Sequence, residues 1–204
     1  MHVAISGNIG AGKTTLTNLL AKHYKWETHF EDVENNPYLN DFYEDMQRWS
    51  FNLQIFYLNS RFTQIQEIKN SEKTVIQDRT IYEDAFIFAP NLHKMGLMST
   101  KDFENYFSLF TLMEKFISAP DILIHLRASV PTLVNQISQR GREYEESIRL
   151  DYLKRLNERY EAWISTYSKG KVIIVDVDNN NFKENPEDLG KIINDIDAEI
   201  NGLF

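Results

Sequence analysis

The sequence predicts an α/β fold: a parallel sheet of five strands with helices on both faces. Three observations carry this. Short apolar runs of the kind that form strands buried on both faces alternate with longer helical patterns. A glycine-rich segment, Gly7-Asn8-Ile9-Gly10-Ala11-Gly12-Lys13-Thr14-Thr15, joins the first such run to the first helix and matches G-x-x-x-x-G-K-[ST]. A chain of 204 residues suits one α/β domain, residues 1–204.

Element by element, the first strand is read over Val3–Ile5, and a helix begins at Thr15-Leu16 after the glycines. A shorter strand is placed at Thr28–Phe30. Asp45–Lys69 is aromatic and amphipathic, with Trp49, Phe51, Phe56, Tyr57 and Phe62 on more than one face. Asn52, Gln54, Asn59 and Arg61 interrupt its apolar positions, and buried polar groups there need partners, which a flat polar ligand would supply. Val75–Ile76, Ile122–Leu126 and Val172–Val175 are the remaining strands. Tyr82–Met95, Lys101–Ile117, Leu133–Ser138 and Ile148–Tyr167 are helices, and a terminal helix starts near Pro186. Alternation of this kind implies right-handed crossovers and a parallel sheet. There is no internal repeat. Asp178-Asn179-Asn180-Asn181 reads as a solvated loop.

The bulk numbers exclude several classes. A formal charge of −8 argues against a nucleic-acid partner, which requires a basic face. No cysteine is present, so disulfides, thiolate metal sites and cysteine nucleophiles are ruled out. No signal peptide or membrane-spanning apolar run is seen, and a cytoplasmic enzyme is expected.

The strand–loop–helix context makes the glycine segment a phosphate-binding loop, and the fold a P-loop NTPase. Glycines let backbone N–H groups curl around phosphate oxygens, and the helix N-terminus adds partial positive charge. Gly7 through Thr15 are therefore nucleotide-binding candidates, with Lys13 on the β/γ-phosphates and the Thr14 hydroxyl on Mg²⁺. The D-x-x-G and N-K-x-D motifs of a GTPase are both missing. Val75-Ile76-Gln77-Asp78-Arg79 instead ends a strand in a carboxylate beside the loop, placed to hold Mg²⁺ or its waters or to cap the next helix.

The loop, Glu31-Asp32-Val33, Asp78-Arg79-Thr80 and Arg140-Gly141-Arg142 together resemble the deoxyribonucleoside kinase family, in the right order and over nearly the whole chain. Asp-Arg-Thr stands where many members have Glu-Arg-Ser. Thymidylate kinases share the loop and a similar lid, but usually carry Asp-Gly before the lysine segment, where this chain has Asn8-Ile9-Gly10. The resemblance implies ATP and Mg²⁺ as cofactors and transfer of a phosphoryl group to a deoxynucleoside 5′-hydroxyl. Deoxyadenosine is the first-choice substrate, ahead of deoxyguanosine and deoxycytidine.

It also implies roles. Glu31 matches the general base, with Asp78 as rival base or Mg²⁺ partner, and Arg79 holds the 5′ oxygen and Glu31 in register. Tyr43 and Glu145 match the pair that bonds the 3′-hydroxyl. Gln54, Arg61 and Asp84 match the base readers, and Phe88 stacks on the base. Arg140 and Arg142 lie in a lid at about 139–147 that closes over ATP, and Asp176–Phe182 matches the adenine loop. A homodimer and feedback inhibition by a deoxynucleoside triphosphate are further family expectations. Rival readings are a non-catalytic nucleotide-binding subunit and a nucleotide-driven switch. Against the first stand intact Lys13, Glu31, Asp78, Arg140 and Arg142; against the second, the missing guanine motif.

Overall fold

A computed structural model describes residues 1–33, 35–142, 144–145 and 148–202. Of the expected lid, Glu143, Glu146 and Ser147 lie outside the described residues. Strands β1 (His2–Gly7), β2 (Glu27–His29), β3 (Val75–Asp78), β4 (Ile122–Arg127) and β5 (Lys171–Asp176) form one parallel sheet in the order β2-β3-β1-β4-β5. The strand carrying the glycine loop is therefore central. All six of its residues are buried, which explains why it reads as a short unbroken apolar run.

Register decides which side chains meet. Val3 pairs with Ile76 and Ile5 with Asp78, so Asp78 shares a face with Val3 and Ile5. That face packs against Leu16 and Leu20 of helix α1 (Lys13–Tyr24), with Leu133 of α7 (Val130–Arg140) and Ile192 and Ile196 of α9 (Pro186–Asn201). Alternation thus delivers Asp78 to the side where α1 begins. The opposite face carries His2, Ala4, Ser6, Gln77, Leu123 and His125 beneath α8 (Leu150–Thr166), whose Ile164 packs on Ala4 and Leu123. Its polar groups are paired: His2 Nε2 with Gln77 Oε1 at 3.0 Å, and Ser6 Oγ with His125 Nδ1 at 2.9 Å. Burial pushes the two imidazoles down to about 4 and about 3, so both are neutral hydrogen-bond partners.

A second core lies away from the sheet. It is built by α2 (Leu39–Glu44), α3 (Met46–Asn70), α4 (Ile81–Glu83), a π-helical turn (Asp84–Phe88), α5 (Ala89–Lys94), α6 (Thr100–Glu114) and α8. Asp45 caps α3 by accepting from the Arg48 N–H, and Ser99 caps α6 by accepting from the Asp102 N–H. This core explains the aromatic load of α3 and α6, which no sheet face alone would cover.

Four sequence expectations are corrected here. The second strand lies one residue earlier than Thr28–Phe30, because the Phe30 carbonyl leaves the ladder and accepts from Gln64 Nε2 at 2.7 Å. Tyr82–Met95 is not one regular helix: the π-helical turn widens it from Asp84 to Phe88, a distortion common at functional sites. Helix α2 was not expected, since six residues show too little periodicity. Finally, Asn59 is exposed and half-buried Asn52 accepts from Arg48 at the surface, so of the four polar residues singled out in α3 only Gln54 and Arg61 are buried.

Gly7 has φ +147°, and a Cβ there would stand 2.8 Å from the Leu126 carbonyl oxygen on the adjacent strand. Gly7→Ala is expected to destabilise by roughly 1–3 kcal/mol or more and to displace the glycine loop. Thermal melting and titration with a fluorescent nucleotide would read both effects; unchanged melting with unchanged binding would contradict them.

Candidate active site

A cleft of about 1400 Å³ opens at the carboxyl end of the sheet, where an open parallel sheet offers loops and helix N-termini to a ligand. Its floor is the glycine loop. Gly10 and Gly12 adopt φ +85° and +93°, conformations that L side chains avoid, and Gly12 leads directly into α1. Ile9, Gly10, Gly12, Lys13, Thr14 and Thr15 line the cleft, whereas Gly7, Asn8 and Ala11 do not. Those three shape the loop from below. The Gly7 N–H points at Glu83 Oε1 (3.4 Å), and the Ala11 N–H donates to the Asn8 carbonyl (3.2 Å). Asn8 Nδ2 donates to the Leu153 carbonyl and to Asn157 Oδ1 on α8, each at 3.2 Å.

Lys13 Nζ donates to the Asn8 carbonyl at 2.9 Å. Burial, reinforced by nearby Arg79, lowers its ammonium to about 7. Beside it, Thr14 donates its hydroxyl proton to Asp78 Oδ2 at 2.6 Å, while Asp78 Oδ1 is buried without a partner. Asp78 is not a helix cap: Thr80 caps α4 in a box with Glu83. A hydroxyl and one carboxylate with an unsatisfied oxygen suit Mg²⁺, which takes one or two protein groups and completes its shell with phosphate and water. Among the described residues there is no cluster of three or more His, Cys, Asp or Glu side chains to make an all-protein cage.

Four charged groups meet beyond the loop. Glu31 Oε1 lies 2.9 Å from Arg61 NH2 and 3.3 Å from Arg79 Nε. Arg61 Nε reaches Asp84 Oδ2 at 3.2 Å, and its NH1 lies 3.5 Å from the Asp78 carbonyl. Arg61 is fully buried and does not line the cleft; Glu31, Arg79 and Asp84 do. Arg61 and Asp84 therefore do not form a surface ion pair. Burial alone would raise the Glu31 carboxyl, but Arg79 first, then Arg61, Lys13 and Arg142, hold it down at about 2. For Asp84, burial prevails over Arg61 and Arg79, and the carboxyl sits above its ordinary value.

The remaining expected residues converge on the same cleft. Gln54, Phe88, Tyr43 and Glu145 all line it, and Gln54 Oε1 is buried with no partner. Glu145 is gripped by both Nε and NH2 of Arg140, with Arg142 NH1 at 3.6 Å. The lid arginines are thus tied to the residue expected at the sugar. Tyr43 stacks on Tyr144 with ring centroids 5.6 Å apart.

Several site features were missed from sequence. Tyr57 and Tyr152 line the cleft, and Glu83 and Tyr160 lie buried behind Arg79. Only Glu83 left a signal, the capping pattern Thr80-x-x-Glu83. The tyrosines read as ordinary core residues.

A phosphate cradle, a metal-competent carboxylate and, in the same cleft, an aromatic-lined chamber beside an ionised glutamate are the parts of a kinase that acts on a small hydroxyl-bearing acceptor. Comparison with known proteins narrows that class. The sequence model of the deoxynucleoside kinase family matches residues 3–201, and the chain belongs to this family. It is 37% identical over 200 residues to the deoxyadenosine/deoxycytidine kinase of Bacillus subtilis, covering 97% of this chain and 92% of that one. Identity to the deoxyadenosine kinase of Dictyostelium discoideum is 40% over 192 residues, 94% of this chain and 77% of that protein. Deoxyadenosine kinase from M. mycoides, solved with products dCMP and a flexible dCDP, superimposes with a TM-score of 0.87 at 30% identity, covering 97% and 100% of the two chains. The same enzyme with bound dATP gives 0.86. The protein is a deoxynucleoside kinase.

Because Lys13 is near half-neutral at pH 7, binding a triphosphate should restore its charge by taking up a proton. Uptake per site should grow between pH 7 and 9, and affinity should weaken as pH rises through that window. Calorimetry in two buffers of different ionisation enthalpy reads the proton count directly; zero uptake at pH 8 would show that Lys13 is charged before the ligand arrives.

Proposed function

We propose that the chain transfers the γ-phosphoryl group of ATP to the 5′-hydroxyl of deoxyadenosine. The observation that carries the substrate choice is a pair of hydrogen-bond acceptors in the aromatic chamber: the Asp84 carboxylate and the unpartnered Gln54 Oε1. Adenine and cytosine each present an exocyclic amino group to such acceptors. Thymine and guanine present a carbonyl at the corresponding edge and would leave them unpaired, a penalty large enough to discriminate strongly. The deoxyadenosine kinase names of similar proteins support the purine. Deoxycytidine ranks next on this argument, and deoxyguanosine after it.

In this reading the base lies against Phe88, and Tyr43 and Glu145 bond the 3′-hydroxyl. Loop N–H groups and Lys13 hold the phosphates, and Arg140 and Arg142 close over them. Thr14 and Asp78 would hold Mg²⁺, which neutralises charge on the phosphate oxygens. Glu31 accepts the 5′-hydroxyl proton as the new P–O bond forms. A carboxyl held near 2 is a weak base, which suits a loose transition state whose hydroxyl becomes acidic only late. Arg79 and Arg61 fix that carboxylate, so its geometry is set before substrate binds. Residues 1–204 act as one domain with its lid at about 139–147. No described helix is long and apolar enough to cross a membrane, and the charge of −8 disfavours nucleic acid as a partner.

The assembly is read as a homodimer. Leu109 and Leu112 on α6 and Phe116 just beyond its C-terminus are exposed by 36%, 53% and 59%, at a spacing that makes one apolar row.

Two tests follow. ADP release should be measured with deoxyadenosine, deoxycytidine, deoxyguanosine and thymidine, alongside Glu31→Gln. The wild type should rank kcat/KM in that order, and the variant should lose about 10²–10⁴-fold in turnover with triphosphate binding nearly intact. Preference for thymidine would overturn the acceptor argument, and near-normal turnover in Glu31→Gln would move the base role to Asp78. Separately, Leu112→Asp with Phe116→Asp should convert a dimer to a folded monomer in light scattering; a monomeric wild type would refute the dimer.

A further inference from the structure

We propose that Glu83 and Tyr160 are positioning residues for phosphoryl transfer, holding Arg79 and the start of the phosphate loop in register from inside the protein. The proposal rests on the role given to Arg79 above.

Glu83 is fully buried and neither it nor Tyr160 lines the cleft. Its Oε2 accepts from the Thr80 N–H at 2.7 Å and the Thr80 hydroxyl at 3.2 Å, which is all that a helix cap requires. Its Oε1 does something else. It accepts from the Tyr160 hydroxyl at 2.8 Å, faces Arg79 NH1 at 3.4 Å and takes the Gly7 N–H at 3.4 Å. A glutamine would cap α4 as well. A buried carboxylate is costly unless a cation offsets it, and Arg79 is the cation in contact.

Arg79 needs such an anchor. Its φ is +72°, rare for a residue with a side chain, and such strain persists only where surroundings over-determine it. NH1 is pinned by Glu83 and Tyr160, the guanidinium lies 4.7 Å over the Phe88 ring, and Nε faces Glu31 at 3.3 Å. Releasing NH1 frees the guanidinium to swing toward Glu31 and the cleft. Tyr160 also sits one helical turn after Asn157, which receives the Asn8 amide, and Asn8 in turn receives Lys13. One face of α8 thus touches both the lysine loop and the arginine.

The test is steady-state kinetics on the full chain for Glu83→Gln, Tyr160→Phe and the double variant, with Glu31→Gln and Arg79→Lys in parallel. Turnover is expressed per nucleotide-binding site, counted by titration, so that misfolded protein does not enter. Glu83→Gln should lower kcat about 30–100-fold and Tyr160→Phe about 10-fold, with both KM values within about threefold, because small displacements of a reacting group cost this much. The double variant should be no worse than Glu83→Gln, since both changes cut one anchor. Wild-type kcat per site in Tyr160→Phe, or in a folded Glu83→Gln, would reduce the pair to a helix cap and overturn the proposal. Tyr160→Phe keeps the ring and decides the matter if Glu83→Gln fails to fold. If Glu31→Gln and Arg79→Lys keep full turnover, the reading of the site fails; if they fall and the buried pair does not, only this inference fails.

Discussion

The burial of Arg61 between Glu31 and Asp84 is the constraint on which the rest of the site depends. A guanidinium removed from water is costly, and here every edge of it faces an acceptor: a carboxylate on either side and a backbone carbonyl between. That arrangement requires α3 to stand directly behind the cleft, and hence the long aromatic face that packs α3 into the helical core. It also ties the end of β2 to the start of the π-helical turn. Glu31 and Asp84 are thereby fixed relative to each other by a single buried side chain that does not line the cleft.

The same logic explains two backbone departures. β2 is only three residues long, so its extension carrying Glu31 has no ladder to hold it. Gln64 replaces the ladder by donating to the Phe30 carbonyl one turn of α3 beyond Arg61. At the other end, the π-helical turn brings Asp84 and Phe88 both to the cleft wall, five-residue winding changing the angle between them relative to an α-helix. Neither departure favours stability by itself. Both are local conflicts of the kind natural chains keep at sites of function.

How much of this was legible in the sequence depended on the range of the interaction. The sheet, its parallel sense and the loop were legible because strand runs and the glycine spacing are local signals, and parity alone then sent Asp78 toward α1. Gln54 and Arg61 could be flagged because polar residues break an apolar helix face. Asn59 broke the pattern too but faces solvent, since periodicity does not say which of several faces is buried. The placement of Arg61 behind the cleft and the contact of Tyr160 with Arg79 join residues far apart in the chain. No window of sequence contains them. Resemblance to a family supplied candidate residues, but not which of them touch the ligand and which stand behind it.

That last distinction matters for how selectivity would be achieved. Asp84 faces the chamber with its carboxyl raised by burial to about 7, and the charge of Arg61 behind it favours the ionised, accepting form. Glu31 draws on the same arginine to stay ionised. Base reading and proton acceptance would therefore not be independent. A change at Asp84 alone would leave Arg61 with an unpaired edge and shift its charge toward Glu31, altering chemistry as well as preference. Replacing Asp84 and Arg61 together removes the stranded charge but also one of the two cations in contact with Glu31. Arg79 is anchored by a second carboxylate, Glu83, and by Tyr160, so it is a part of the cluster that can keep Glu31 in place when the base pocket varies.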